Sequence, residues 1–122
     1  MYFFIQGTKT TPSAIINDGY MKITGNSTAI DENNDFFGHF SRQVNLYSQQ
    51  PANKTSIDIA LEHVNATSKR YIIDLLKTLE KLKQQGFQVV INWHFEYENE
   101  DVKELGEIFD TMFDIDFNFV AT

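Results

Sequence analysis

The chain has 122 residues, enough for one core and too few for two, and its 42% apolar and 22% charged residues are the proportions of a soluble globular domain rather than a disordered one. Lys and Arg number 10 against 17 Asp and Glu, and the resulting net charge of −7 opposes binding to nucleic acid or to an anionic membrane. The absence of cysteine excludes disulfides, thiolate catalysis and Cys-based zinc sites, and fits a cytoplasmic location.

The amino-terminal "MYFFIQ" is apolar but short. Gly7 and Pro12 in "GTKTTP" break it, so it reads as a first strand and not as a signal peptide. Ala14 to Asn17 and Tyr20 to Thr24 read as two short strands joined at Asp18-Gly19, a dipeptide favoured in tight hairpins. Asp31 to Asn34 then offer caps for a helix whose apolar positions are Phe36, Phe40, Val44 and Tyr47, and Pro51 closes it. In "TSIDIALEHV", Ile57, Ile59, Leu61 and His63 alternate with Asp58, Ala60, Glu62 and Val64, which predicts a strand with one buried face over Ile57 to Val64.

A helix is expected from Thr67 to Gln85, with Ile72, Leu75, Leu76, Leu79 and Leu82 as its buried stripe and Gly86 just beyond its end. "FQVVINWHF" is apolar on both alternations, which predicts a central strand covered on both sides. "EYENEDVKELGEIFDTMF" should form an amphipathic helix with an acidic outer face, and Asp116 to Val120 a last strand. Strands feeding helices that feed strands imply a single α/β domain spanning residues 1–122, a mixed sheet with an amino-terminal hairpin, crossover helices and about three helices in all. No stretch approaches transmembrane length.

The candidate chemistry is sparse. His39, His63 and His94 share no metal-ligand spacing, and the acidic run from Glu96 lacks the pattern of a calcium loop, so no metal or cofactor is expected. "GTKTTP" does not fit a phosphate-binding loop, and no serine sits in a nucleophile motif. Glycosylation patterns at Asn26, Asn53 and Asn65 carry no weight without a secretion signal. The informative stretch is "LEHVNATSKRYIIDLL", where small polar residues mark the passage from strand to helix. Two readings stand side by side. Asn65 or Thr67 serves as an ordinary helix cap, or a hydroxyl there receives a phosphate, which free amides and the positive dipole end would favour.

The order "IQGTKTTP", "ITGNS", "ENNDFF", "LEHVNATSKRYIIDLL", "VVINWHF" and "EDVKELGE" resembles the SiaC family of bacterial regulatory phosphoproteins over nearly the whole chain. The resemblance implies a fold like the STAS domains of anti-sigma-factor antagonists. It also implies a non-enzymatic switch, phosphorylated by a dedicated kinase, dephosphorylated by a PP2C-type phosphatase, and binding a diguanylate cyclase in its unphosphorylated form, in cyclic di-GMP signalling that promotes biofilm. The family's "NTSS" motif places the accepting Thr directly after Asn, where this chain has Ala66. Either the acceptor has moved to Thr67 or Ser68, or the chain is held in its partner-binding form. A second departure, "STAIDEN", replaces a shorter stretch that usually contains Pro.

The resemblance implies a partner face made of Asn65, Ala66, Lys69 and Arg70 together with Glu32, Asn33, Phe36 and Phe37 at the start of the first helix. A STAS-type antagonist of an anti-sigma factor is the alternative binding module. A small enzyme using the acidic carboxylates with His94 is the alternative of another class.

Overall fold

The computed structural model describes residues 2–26 and 36–122. In chain order the elements are β1 (Tyr2–Ile5), β2 (Ser13–Asn17), β3 (Tyr20–Gly25), α1 (Phe36–Gln49), β4 (Lys54–Leu61), α2 (Ala66–Gln84), β5 (Gln88–Phe95), α3 (Glu100–Met112) and β6 (Asp116–Ala121). β1, β2 and β3 form an antiparallel meander. Its second turn is the expected one: Asp18 at φ 39° and Gly19 at φ 90° both take the left-handed conformation that a two-residue hairpin loop requires. From β3 onwards every pairing is parallel.

The sheet runs β1-β2-β3-β4-β5-β6, in sequence order, so each crossover steps in the same direction. Right-handed crossovers that never reverse place all their helices on one face. The burial alternation agrees. Ile57, Ile59 and Leu61 of β4 and Val89, Ile91 and Trp93 of β5 are buried beneath the helices, whereas Ser56, Asp58, Val90, Asn92 and His94 on the other alternation stay half-exposed. The expectation that "FQVVINWHF" is covered on both sides is therefore corrected. Among the described residues one face of β5 is bare because the winding leaves no helix to cover it, a property of topology that the strand's own residues do not encode. Without a reversal there is also no switch-point crevice of the kind in which doubly wound α/β domains bind ligands.

α2 packs by the expected stripe, Ile72, Leu75, Leu76, Leu79 and Leu82. It ends as foreseen at Gly86, φ 100°, where the Gly86 and Phe87 amides donate to Lys83 O and Leu82 O at 3.0 and 3.1 Å. β4 stops at Leu61, short of the expected Val64, because its partner β3 stops at Gly25. The Glu62 amide donates to Gly25 O at 2.9 Å, and the Glu62 carbonyl is taken by the Asn99 side chain at 3.0 Å. α3 lies on β5 through Gly106, whose missing Cβ makes room for the Trp93 indole, and through Phe109, edge-on to that ring at 5.7 Å.

Candidate functional site

The strand-to-helix passage after β4 builds the start of α2. Asn65 is its cap, in an extended conformation, and its Oδ1 accepts the Ser68 amide at 2.8 Å, while the Lys69 amide donates to Asn65 O at 2.9 Å. Helix geometry leaves the Ala66 and Thr67 amides without an intrahelical acceptor. α3 starts with the acidic side chains Glu100 and Asp101 in its first turn, whereas α2 starts with none and turns directly to Lys69 and Arg70. The positive dipole end of α2 thus lacks the compensating carboxylates that α3 carries.

The hydroxyls of this turn differ. Thr67 is half-exposed, whereas Ser68 is fully buried and its Oγ has no hydrogen-bond partner among the described residues. Ala66, Lys69 and Arg70 are exposed and Asn65 is half-buried. Glu32 and Asn33, like the caps expected from Asp31 to Asn34, lie outside the described residues. Phe36 and Phe37, expected at the partner face, have their side chains in the core at 6% and 1% exposure. They act from beneath: Phe37 stacks on Tyr71 of α2 at 5.3 Å, and Phe36 meets Phe37 edge-on at 4.9 Å. The starts of α1 and α2 are thereby fastened together. Sequence reasoning did not single out Tyr71, although it lies six residues past the cap.

The bare face of the sheet holds a second group of polar side chains. Asp58 on β4 accepts from Tyr20 Oη at 2.7 Å and from His94 Nε2 at 3.0 Å, a bond in which the carboxylate can only accept and the imidazole nitrogen carries the proton. Asn118 Nδ2 donates to Asn92 Oδ1 at 3.1 Å in the adjoining strands. Partial burial pushes the Asp58 carboxyl up, but hydrogen bonds from His94, Tyr20 and Asn92 and the attraction of His94 outweigh it and hold the group below its ordinary value. Burial first, and then the Asp58 carboxylate, push the Tyr20 phenol up to about 12. The signal for this row was present as Asp58, Asn92 and His94 at period two.

His94 also lines, with Glu62, Glu96 and Thr122, an open depression at the carboxyl ends of β4 and β5. Among the described residues no group of three or more His, Asp or Glu side chains is placed to hold a metal ion. No helix among them is long and apolar enough to cross a membrane.

Among the described residues a six-stranded mixed sheet with three helices on one face defines a single α/β domain. A family model of SiaC family regulatory phosphoproteins matches residues 5–122, and the chain belongs to that family. An uncharacterised protein of Pseudomonas aeruginosa strain UCBPP-PA14 is 32% identical over 108 residues, 86% of this chain and 84% of the relative. In the crystal structure of the diguanylate cyclase SiaD with its activator SiaC from P. aeruginosa, a chain matches with TM-score 0.84 and 25% identity over 98% of this chain and 99% of that one. A structure of SiaC of P. aeruginosa matches with TM-score 0.86 and 22% identity over 100% and 99% of the two chains, which establishes the shared fold.

Proposed function

We propose that the chain is a non-catalytic switch that binds and regulates a diguanylate cyclase, and that phosphorylation of Thr67 by a dedicated kinase, reversed by a PP2C-type phosphatase, releases the partner. The observation that carries the reading is the start of α2. There a half-exposed hydroxyl stands beside amides without an intrahelical acceptor, at a helix end without acidic side chains in its first turn. Adding a charge of about −1.5 to −2 there is favourable to the helix and reverses the local potential made by Lys69 and Arg70.

Thr67 is preferred to Ser68 because the Ser68 hydroxyl is buried and would reach a kinase only if the turn opened. Ala66, at the family's usual acceptor position, then acts as a spacer. The partner face consists of Asn65, Ala66, Lys69 and Arg70, with Phe36 and Phe37 as its support; Glu32 and Asn33, expected with them, lie outside the described residues. The same fold would serve an anti-sigma-factor antagonist equally well. The cyclase is favoured because a matched structure pairs a relative with one.

Phosphopeptide mapping after incubation with the cognate kinase should find Thr67 modified. Thr67→Asp should fold normally yet bind the cognate cyclase at least about tenfold more weakly, a difference of about 1.4 kcal/mol. Modification confined to positions outside 65–69, or equal cyclase affinity for wild type, Thr67→Asp and Lys69→Glu, would overturn the assignment.

A further inference from the structure

The two edges of the sheet are built differently. β1, at one end, has four residues, which leaves little length for pairing. β6, at the other end, has six residues with no Pro and no Lys, and its one charged side chain, Asp116, stands at its start. Short length, Pro, Lys and inward charge are the usual means of keeping an edge from pairing, and apart from Asp116 β6 has none of them. Among the described residues nothing pairs with its outer side.

The direction of the outward backbone groups follows from the residue after the strand. The Thr122 amide donates to Phe95 O at 2.9 Å and Thr122 O accepts the Tyr97 amide at 3.0 Å, so both backbone groups of this residue turn to β5. Backbone groups alternate sides along a strand. Asn118 and Val120 therefore also face β5, and Phe117, Phe119 and Ala121 hold their amides and carbonyls outwards. Side chains alternate between the two faces in the same way. Phe117 and Phe119 stand in register with Ile91 and Trp93 on the helix-bearing face, their rings 6.1 Å apart, and Phe119 remains 39% exposed. Asn118 stands on the bare face, where its Nδ2 donates to Asn92 Oδ1 at 3.1 Å.

We infer that β6 is the pairing edge for a second copy of this chain, joined antiparallel about a two-fold axis at Asn118, so that the two sheets become one. Phe117 then lies opposite the second copy's Phe119 and exchanges two backbone hydrogen bonds with it, and the symmetry repeats the pair on the other side of the axis. The rings on the helix-bearing face meet as cross-strand aromatic pairs. On the bare face Asn118 meets the second copy's Asn118, and Asp116 meets Val120, so no like charges stand opposite one another. The strand is thus its own complement, whereas a single charge, Asp116, is too little to select a strand of another protein. Each copy has one such edge, so the assembly closes as a dimer and does not grow. All helices stay on one face, and α3, which crosses from β5 to β6, lies between the α2 start and the joined edges. The inference does not rest on the proposed switch.

Sedimentation equilibrium at physiological salt, where the repulsion between two copies of net charge −7 is screened, should show a concentration-dependent dimer. Phe119→Lys should raise its dissociation constant at least about tenfold by setting a charge against the second copy's Phe117, whereas Asn45→Lys, at an exposed site on α1, should not. The register is tested separately, and decides alone if Phe119→Lys fails to fold. The chain has no cysteine, so single cysteines report one contact each. Oxidised with copper phenanthroline in air, Asn118→Cys should form a disulfide-linked dimer. Asp116→Cys and Val120→Cys should form none alone and one when mixed, because such non-hydrogen-bonded pairs bring Cα atoms to about 4.5 Å, within disulfide reach. A monomer at every concentration, a dimer indifferent to a folded Phe119→Lys, or equal bridging at 116, 118 and 120 overturns the pairing. So does a bridge from position 118, formed in a lysate of the host, to another protein in place of a second copy.

Discussion

The two faces of the sheet solve opposite problems with the same strands. Beneath the helices, β4 and β5 present Ile57, Ile59, Leu61, Val89, Ile91 and Trp93, and stability comes from area removed from water and from shape. On the bare face the same strands present Ser56, Asp58, Asn92 and His94, held by hydrogen bonds whose net worth is smaller because water competes for every partner. Stability should therefore respond to volume on one face and to pH on the other.

The sharpest way to break that contrast is Leu76→Ala. Leu76 is fully buried between α2 and the sheet. Losing its side chain should cost about 2–5 kcal/mol, while Lys77→Ala beside it should stay within about 0.5 kcal/mol. Urea midpoints of the two variants measure the difference, and equal midpoints would mean that α2 does not carry the core.

Next in size is Gly106→Ala. A Cβ there would overlap the indole of Trp93, which cannot swing away freely because its Nε1 donates to Val102 O at 2.9 Å and Phe109 closes its edge. Overpacking of this kind costs about 1–3 kcal/mol. Thermal denaturation should show the loss, and the fluorescence of Trp93, the chain's one tryptophan, should shift with it. An unshifted spectrum with wild-type stability would show that α3 does not rest on the indole.

On the bare face the effects are smaller and depend on pH. The Asp58 carboxyl is held below its ordinary value of 3.8, so the folded state favours its ionised form. That stability is present above pH 3.8 and is lost as pH falls through the lower folded value. Asp58→Asn should lack this acid-side component. For Tyr20 the sign is reversed, because its phenol moves from 10.0 to about 12 and the folded state favours the neutral form. Its contribution is complete below pH 10 and fades as pH rises through about 12, and Tyr20→Phe should lose that alkaline dependence. Urea midpoints at acid, neutral and alkaline pH, with tyrosinate absorbance as a direct probe of Tyr20, measure both. Profiles parallel to wild type at all three would leave the row without energetic content.

What the sequence made legible follows the same division. The hairpin at Asp18-Gly19 and the stripe and Gly86 terminus of α2 are local, written in a few adjacent residues, and each stands where the pattern put it. The bare face was not legible, because whether Val90 and His94 meet a helix or solvent depends on the direction of three successive crossovers. The end of β4 escaped for a related reason, since the alternation through Val64 continues after the partner strand has stopped. The helix start was recognised by its Asn, Thr and Ser, but which hydroxyl is outermost depends on rotation about the helix axis relative to the core, and a run of adjacent hydroxyls does not state it.

The smallest effect belongs to that last point. Among the described residues the helix-covered side buries two polar side chains, Thr55 and Ser68. Thr55 Oγ1 is satisfied by Tyr47 Oη at 2.8 Å, whereas Ser68 Oγ has no partner. A buried hydroxyl without a partner carries a desolvation penalty of about 1–3 kcal/mol, and Ala removes the hydroxyl while leaving nearly the same volume. Ser68→Ala should therefore be neutral or stabilising by up to about 1 kcal/mol, where Thr55→Ala should destabilise by removing one of the two hydrogen bonds of the Tyr47 hydroxyl and leaving it only the Ala52 amide at 3.1 Å. A clear loss of stability in Ser68→Ala, read from urea midpoints, would mean that the hydroxyl holds the turn together. The same variant separates the two candidate acceptors. With the cognate kinase, Ser68→Ala should be phosphorylated as fast as wild type and Thr67→Ala not at all, because only the half-exposed hydroxyl reaches the kinase without opening the first turn of α2.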